Sequence, residues 1–352
     1  MATRNSLRIA CLMDEAESQH RCAIIKRGDE YYRRAHDLAG RGVLVNPMKS
    51  LYARPEYWTN LDKGEKQLHI LRALSVLHPR WVFCAQSAAL LLGLAVSYAD
   101  MGIVHIAVSP GHGTISIGQI RRHTIKGLED EIATVDGIRI TSLERTLFDC
   151  MRSVPFPQAL AIADSGLRRY QIGRQRILGY ILARPANCHG RRAALDATLH
   201  ADASSESGGE SIARAVMIEE GFLLPSLQIW MDDPIEEQGR FRVDYSWSLP
   251  DGTTVIGEMD GREKYTNPEM TQGRGSIEVL ADERLRESHL SARTRIIRFG
   301  WKDVSNRKRF VKLLEAYGIP RLKLRPRNGF HAICRYSEQF GSLYSIGVVR
   351  VA

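Results

Sequence analysis

Asp244, Glu258, Asp260 and Lys264 fall within one stretch, Arg242 to Tyr265, and residues of these types are what metal-assisted cleavage of a phosphodiester requires. Hydrolysis of that bond needs an activated water, stabilisation of charge on the phosphate and help for the leaving oxygen, and Mg²⁺ held by carboxylates supplies all three. Mg²⁺ prefers oxygen ligands and keeps several waters, so two or three acids suffice. Asp244 and Glu258 are the first choice of ligands, with Glu210 as a further carboxylate and Asp260 completing the acidic group. Lys264 is the positive partner for an attacking hydroxide or the scissile phosphate. Arg284, Arg286, Arg295 and Arg298 would hold a DNA backbone. The alternative is a structural polar cluster, in which Asp244 caps a turn, Glu258 pairs with an arginine and Asp260 makes an Asp-Gly bend.

A β-hairpin must position these acids. FRVDYSWSL reads as one strand, Pro250 to Gly252 as the turn and TTVIGEMDG as the returning strand, with aromatic and β-branched residues on both sides. An apolar hairpin carrying three carboxylates calls for something positive between them, because an unpaired buried charge is costly. A helix (Glu210 to Glu219) precedes the hairpin region (Leu227 to Asp260). An irregular loop (Asn267 to Ser276), a helix (Ile277 to Leu290), a strand (Arg295 to Phe299) and another helix (Arg307 to Tyr317) follow. This is an α/β order with acids collected at one sheet edge, and it defines a domain over residues 210–320.

Upstream, residues 183–209 read as a linker, from Arg184-Pro185, Cys188-His189-Gly190 and the run Ser204 to Gly209 around a short helix near Arg191 to His200. Residues 62–182 read as a mixed α/β domain. Its helices are Lys63 to Leu77 and Ala85 to Leu94, and its strands lie at Val104 to Val108, Ile120 to Thr124 and Gly137 to Ile140. Thr141 to Glu144 forms a capping box for a helix ending at Met151. His105, His112 and His123 have no metal-ligand spacing and read as surface or satisfied core residues.

Residues 14–58 read as a winged helix-turn-helix: a helix over Ser18 to Lys26, a turn at Gly28-Asp29, a second helix over Glu30 to Ala39, and VLVNPMKSLYA as two short strands around an Asn-Pro turn. The second helix would display Arg33, Arg34 and Asp37 and turn Tyr31, Ala35 and Leu38 to the core, an arrangement suited to a major groove.

The length, 352 residues, is that of two or three domains, and 44% hydrophobic composition is that of a globular chain. The longest apolar run falls short of the ~20 residues that span a bilayer, and the N-terminus lacks a secretory apolar region, so a cytoplasmic protein with no membrane contact is expected. Six scattered cysteines without a CxxC pair argue against a zinc site or a disulfide framework. The net charge of +9 is concentrated: residues 284–327 carry 14 basic against three acidic side chains, and residues 20–55 carry eight against three. Two separate basic regions suggest two phosphate-contacting surfaces and DNA as the partner.

The pattern of Asp244 followed by Glu258-Met259-Asp260 resembles the PD-(D/E)XK nuclease superfamily, particularly the branch similar to very-short-patch-repair endonucleases. Gly209-Glu210-Ser211 matches the GES helix that precedes the hairpin there. Gly257 to Gly261 with Lys264-Tyr265 matches the GE-x-DG-x-x-KY signature, and Glu283 to Glu287 the following E-x-x-R-E helix. The likeness covers about residues 203–318 and implies a restriction-endonuclease-like core with Mg²⁺-dependent DNA cleavage. Asp260, however, stands where the superfamily's E-x-K lysine is expected.

Residues 14–175 are similar to AbiEi-type antitoxins of type IV toxin–antitoxin systems, with Asp136 to Asp149, DGIRITSLERTLFD, as the distinctive block. That resemblance implies operator binding and repression of a toxin operon, DNA contacts at Arg33, Arg34, Arg41 and Lys49, and a cognate toxin as partner. The fold class expected is therefore multidomain α/β: an N-terminal winged helix, a mixed α/β middle domain and a C-terminal restriction-endonuclease-like domain. Three functions stand open: a DNA-binding antitoxin-like regulator, an active Mg²⁺-dependent endonuclease targeted by the winged helix, or a protein that uses its acids and arginines only to bind a toxin.

Overall fold

The computed structural model describes residues 2–111, 116–260, 276–321, 333–337 and 342–346, a mixed α/β chain in two compact units divided between Cys150 and Met151. Lys264, His112 and most of the expected loop from Asn267 to Ser276 lie outside the described residues.

The first unit opens with helix α1 (Ala2–Ser18), strand β1 (Ala23–Ile24), helix α2 (Tyr32–Gly40) and strands β2 (Val45–Met48) and β3 (Leu51–Ala53). The strands form a small antiparallel sheet in the order β1-β3-β2. Ile9, Met13 and Ala16, at helical spacing on α1, share a core with Ala23, Ile25, Ala35, Leu44 and Tyr52, and Tyr31 and Leu38 pack against it. The first helix was expected at Ser18 to Lys26. It ends at Ser18 instead, because its apolar stripe lies further upstream and the segment beyond it supplies β1. The turn between β2 and β3 likewise falls at Lys49-Ser50, with Ser50 at φ +66°, and not at Asn-Pro. Asn46 sits inside β2, where its amide donates to the carbonyls of Met48 and Leu51 and accommodates an irregular register.

Helices α3 (Pro55–Asn60) and α4 (Lys63–Leu77) follow, the latter opened by a complete capping box between Asp62 and Glu65. Then come β4 (Val82–Phe83), α5 (Ala85–Leu91), β5 (Val104–Val108), β6 (Ile120–Thr124), β7 (Ile132–Val135), β8 (Ile138–Thr141) and α6 (Leu143–Met151). The strands assemble in the order β6-β5-β4-β8-β7. Ser142 caps α6, accepting the Arg145 N–H at 3.3 Å, one residue later than the expected box.

His105 on β5 is buried, and its Nδ1 lies 2.9 Å from His123 Nε2 on β6. One ring must donate and the other accept, so the contact favours neutral rings. Burial, with the nearby His123 and Arg121, holds His105 down to about 4. A histidine depressed in the folded state leaves the unfolded chain binding more protons between that value and the ordinary one near 6.5, so stability falls as pH drops through this window. Thermal unfolding followed from pH 7.5 to 4.5 is expected to show the first unit losing ~3 kcal/mol, and His105→Gln to flatten that dependence. A profile unchanged by the substitution would place the titration elsewhere.

The second unit contains helices α7 (Phe156–Tyr170), α8 (Arg174–Leu182), α9 (Arg191–His200) and α10 (Gly208–Glu219). A sheet follows, built from β9 (Ser226–Asp232), β10 (Arg240–Ser248) and β11 (Thr254–Asp260). Helix α11 (Ser276–Ser291) then leads to β12 (Arg295–Gly300), α12 (Trp301–Val304) and α13 (Arg307–Ala316). Strands β13 (Ile333–Ser337) and β14 (Ser342–Ile346) pair as a separate hairpin. The sheet runs β12-β11-β10-β9; β10 is antiparallel to both β9 and β11, while β11 and β12 are parallel across α11.

The span 183–209, expected as a linker, is folded. Ala194, Asp196, Ala197 and His200 of α9 are buried within this unit. Its polar residues cap and bind: Ser207 Oγ accepts the Glu210 N–H, and the Asp202 N–H reaches Asp164 Oδ1 at 2.7 Å. Asp164 on α7 is fully buried and takes Arg214 of α10 through both carboxylate oxygens, at 2.7 and 2.9 Å, while Arg214 Nη1 donates to the carbonyl of His200. The compact division therefore follows residue 150, so the expected middle domain, 62–182, is split and α7 and α8 join the sheet-bearing unit.

One core of that unit packs Ala213, Val216 and Met217 of α10 with Tyr245, Trp247, Val255, Ile297, Phe299 and Phe310. Tyr245 Oη donates to the Glu210 carbonyl and Trp247 Nε1 to the Leu223 carbonyl, locking α10 to the sheet. A side chain at Gly257 would meet the Trp247 ring at 2.8 Å, which explains a glycine inside β11. A smaller cluster of Val243, Ile256 and Leu290 holds α11.

Candidate functional site

The acids of the second unit are positioned where β10 changes face. Val243 packs with Ile256 and Leu290, whereas Tyr245 belongs to the other core, although regular alternation would put both on one side. Asp244 lies at this crossover. Opposite it on β9, between the pairs Val243–Ile229 and Tyr245–Leu227, Gln228 adopts φ +52°, a strained conformation for a residue with a side chain.

Gln228 Nε2 stands 3.2 Å from both Glu210 Oε2 and Asp244 Oδ1, so one amide group joins the two carboxylates. Asp244 Oδ2 accepts the N–H of Met259 at 2.9 Å, beside Glu258. Glu210, 8% exposed, also accepts the Glu206 N–H at 2.8 Å. Burial, reinforced by the charge of Asp244, outweighs these hydrogen bonds and raises the Glu210 carboxyl above its ordinary value.

Glu258, also 8% exposed, receives Arg286 Nη2 of α11 at 2.7 Å. The same nitrogen donates to the carbonyl of Arg242, and the Arg242 side chain reaches Glu206. Asp260 holds Arg298 Nη2 at 2.8 Å, and Arg298 Nη1 is 3.2 Å from Glu287. Glu258, Arg286, Glu287 and Arg298 line a small open cleft with Leu290 and Ile296. A chain of hydrogen bonds thus runs from Asp244 through Gln228, Glu210, Glu206, Arg242 and Arg286 to Glu258.

All four described acids of the expected site are in this region. Glu210 and Asp244 are brought together through the Gln228 amide, while Glu258 and Asp260 each take an arginine. Of the arginines expected to grip DNA, Arg286 and Arg298 are engaged by carboxylates, and Arg284 and Arg295 are exposed. Oxygen donors suit Mg²⁺, and each of these carboxylates also accepts from a protein donor. Sequence reasoning missed Gln228, Glu206 and Arg242. A polar residue on an edge strand reads as solvent-facing, and only the odd polar position opposite Asp244 hinted at more.

In the first unit, α2 exposes Arg33 and His36, and Lys49 is exposed at the β2–β3 turn. Arg34 and Arg41 lie 3.4 and 3.1 Å from one oxygen of Asp37, which draws both toward the helix surface. Tyr32 stacks on His36.

No family model matches the chain. Two uncharacterized proteins of Mycobacterium tuberculosis, from strains CDC 1551 and H37Rv, are each 36% identical to it over 139 residues, 38% of this chain and 47% of theirs. The match thus spans about half the length of these relatives. A crystal structure of a protein from Mycobacterium tuberculosis aligns over 49% of this chain and 66% of its own, with a TM-score of 0.32 and 16% identity. No helix among the described residues is long and apolar enough to cross a membrane.

Proposed function

We propose that this chain is a DNA-binding regulator, antitoxin-like in its first unit, whose second unit carries a restriction-endonuclease-like core that adds affinity for DNA. The observation that carries the reading is the exposed basic surface of α2 and the β2–β3 turn, with Arg33 and Lys49 at the surface and Arg34 and Arg41 beside them. The succession of α2 and two short paired strands supports a winged helix. In the second unit, a GES helix, a hairpin ending in Glu258 and a helix bearing Arg286 occur in the order of the nuclease resemblance, which supports that core. The regulator would repress a toxin operon and take the toxin as protein partner.

A salt titration of duplex binding tests the reading: log affinity is expected to fall linearly with log salt, at a slope of about −0.9 per phosphate neutralised. A salt-insensitive interaction, or none, would contradict it. Asp37 supplies a second check. Its carboxylate draws in Arg34 and Arg41, so Asp37→Asn releases both and removes a like charge from the DNA face. Fluorescence anisotropy at fixed salt is expected to show binding tightened about threefold to tenfold, whereas weaker binding would mean that Asp37 orders the surface.

A second reading, an Mg²⁺-dependent endonuclease aimed by the winged helix, draws on the meeting of Glu210 and Asp244 at one amide. In that case these acids and Glu258 would hold the ion, which would activate water.

A further inference from the structure

We propose that the acidic centre of the second unit is closed by its own side chains, with Gln228 and Arg286 standing where the divalent cation of a nuclease would sit, so that the centre is complete without metal. The inference rests on the nuclease-like reading of this unit. It concerns what partners the acids.

Two carboxylates that face each other repel unless a cation or hydrogen-bond donors lie between them. Between Glu210 and Asp244 that place is taken by the Gln228 amide, whose nitrogen is 3.2 Å from an oxygen of each. An amide NH₂ carries two hydrogens, enough for one to each acid. The strained backbone of Gln228 is held between Leu227 and Ile229, both paired with β10. Arg286 is tied in as firmly: one nitrogen serves both Glu258 and the Arg242 carbonyl, and its guanidinium lies 5.9 Å from the centre of the Phe241 ring. Arg298 does the same for Asp260, the position where the nuclease pattern has lysine. A cation entering here must displace a bridging amide and compete with two guanidinium groups. Mg²⁺, which demands near-ideal octahedral oxygen coordination at ~2.1 Å, is poorly placed to do so.

The test uses the whole protein without DNA and Mn²⁺ as probe, with free ion measured by electron paramagnetic resonance and folding by circular dichroism. The wild type is compared with the Gln228→Ala/Arg286→Met double variant and with that variant carrying Asp244→Asn. The wild type is expected to bind Mn²⁺ with Kd weaker than about 0.1 mM, the double variant at least about tenfold more tightly, and Asp244→Asn to cancel the gain. Wild-type binding tighter than that value overturns the proposal whatever the variants do. Weak wild-type binding with no gain in the folded double variant also overturns it. Should the double variant fail to fold, Gln228→Ala alone takes its place under the same criteria. Failure here leaves salt-dependent DNA binding untouched, and loss of DNA binding would not alter the Mn²⁺ result, so the two readings fail separately.

Discussion

Replacing Arg214 by methionine is expected to destabilise the second unit by about 3–5 kcal/mol, because it strands the Asp164 carboxylate in a site with no solvent. Burial already pushes the Asp164 carboxyl up, and the Arg214 guanidinium, the Asp202 N–H and the Ser211 hydroxyl oppose that shift. Without the arginine the acid must take up a proton or remain an uncompensated charge. The same change leaves the His200 carbonyl without its Arg214 donor, loosening the end of α9 from α10. Chemical denaturation followed by circular dichroism measures the loss. The sharper comparison is the double variant Asp164→Leu with Arg214→Met. Removing both charges is expected to recover most of the stability, since apolar replacements of a buried pair are often neutral or better. A single variant that costs under ~1 kcal/mol would mean that the pair is not the fastening between α7 and α10 described above.

The second large effect concerns DNA. Arg33→Ala with Arg34→Ala is expected to lower duplex affinity by about tenfold or more at moderate salt and to reduce the salt slope by about one for each phosphate that is no longer neutralised. Arg33 is exposed and points away from the core side of α2, whereas Arg34 is drawn to Asp37, so the single Arg33 substitution is expected to weigh more than the Arg34 one. Neither residue supports the core of Ile9, Met13, Ala35 and Tyr52, and thermal stability is expected to hold. Unchanged affinity in the double variant would move the DNA surface off this helix.

Much of the second unit was legible in the sequence because its signals are local. Aromatic and β-branched runs flank an Asp-Gly turn, where Gly252 adopts φ +82° and Asp251 accepts the Thr253 N–H, and β10 and β11 form there. The helix through Arg286 and the strand through Arg298 fell within a residue or two of their expected bounds. Where partners lie far apart in the chain, composition gave no guidance. Ser207, Asp202 and Glu206 have the letters of a linker, yet they cap α10, bind Asp164 and meet Arg242, contacts that only tertiary packing creates. The acids stood out but their neutralisers did not: Arg286 and Arg298 read as free cations for phosphate until the fold set them against Glu258 and Asp260. Glu258 is paired with Arg286 in the folded chain. The first helix was missed because its stripe of Ile9, Met13 and Ala16 begins before the segment read as a winged helix.

On the proposed reading the protein holds DNA without cutting it, and one experiment addresses both halves. Supercoiled plasmid is incubated with the protein in Mg²⁺, Mn²⁺ or EDTA, and binding and nicking are scored on the same samples. The expected result is salt-sensitive retardation in every condition, with the plasmid left supercoiled. Metal-dependent nicking that disappears in Glu258→Ala would contradict it and establish the endonuclease reading in its place.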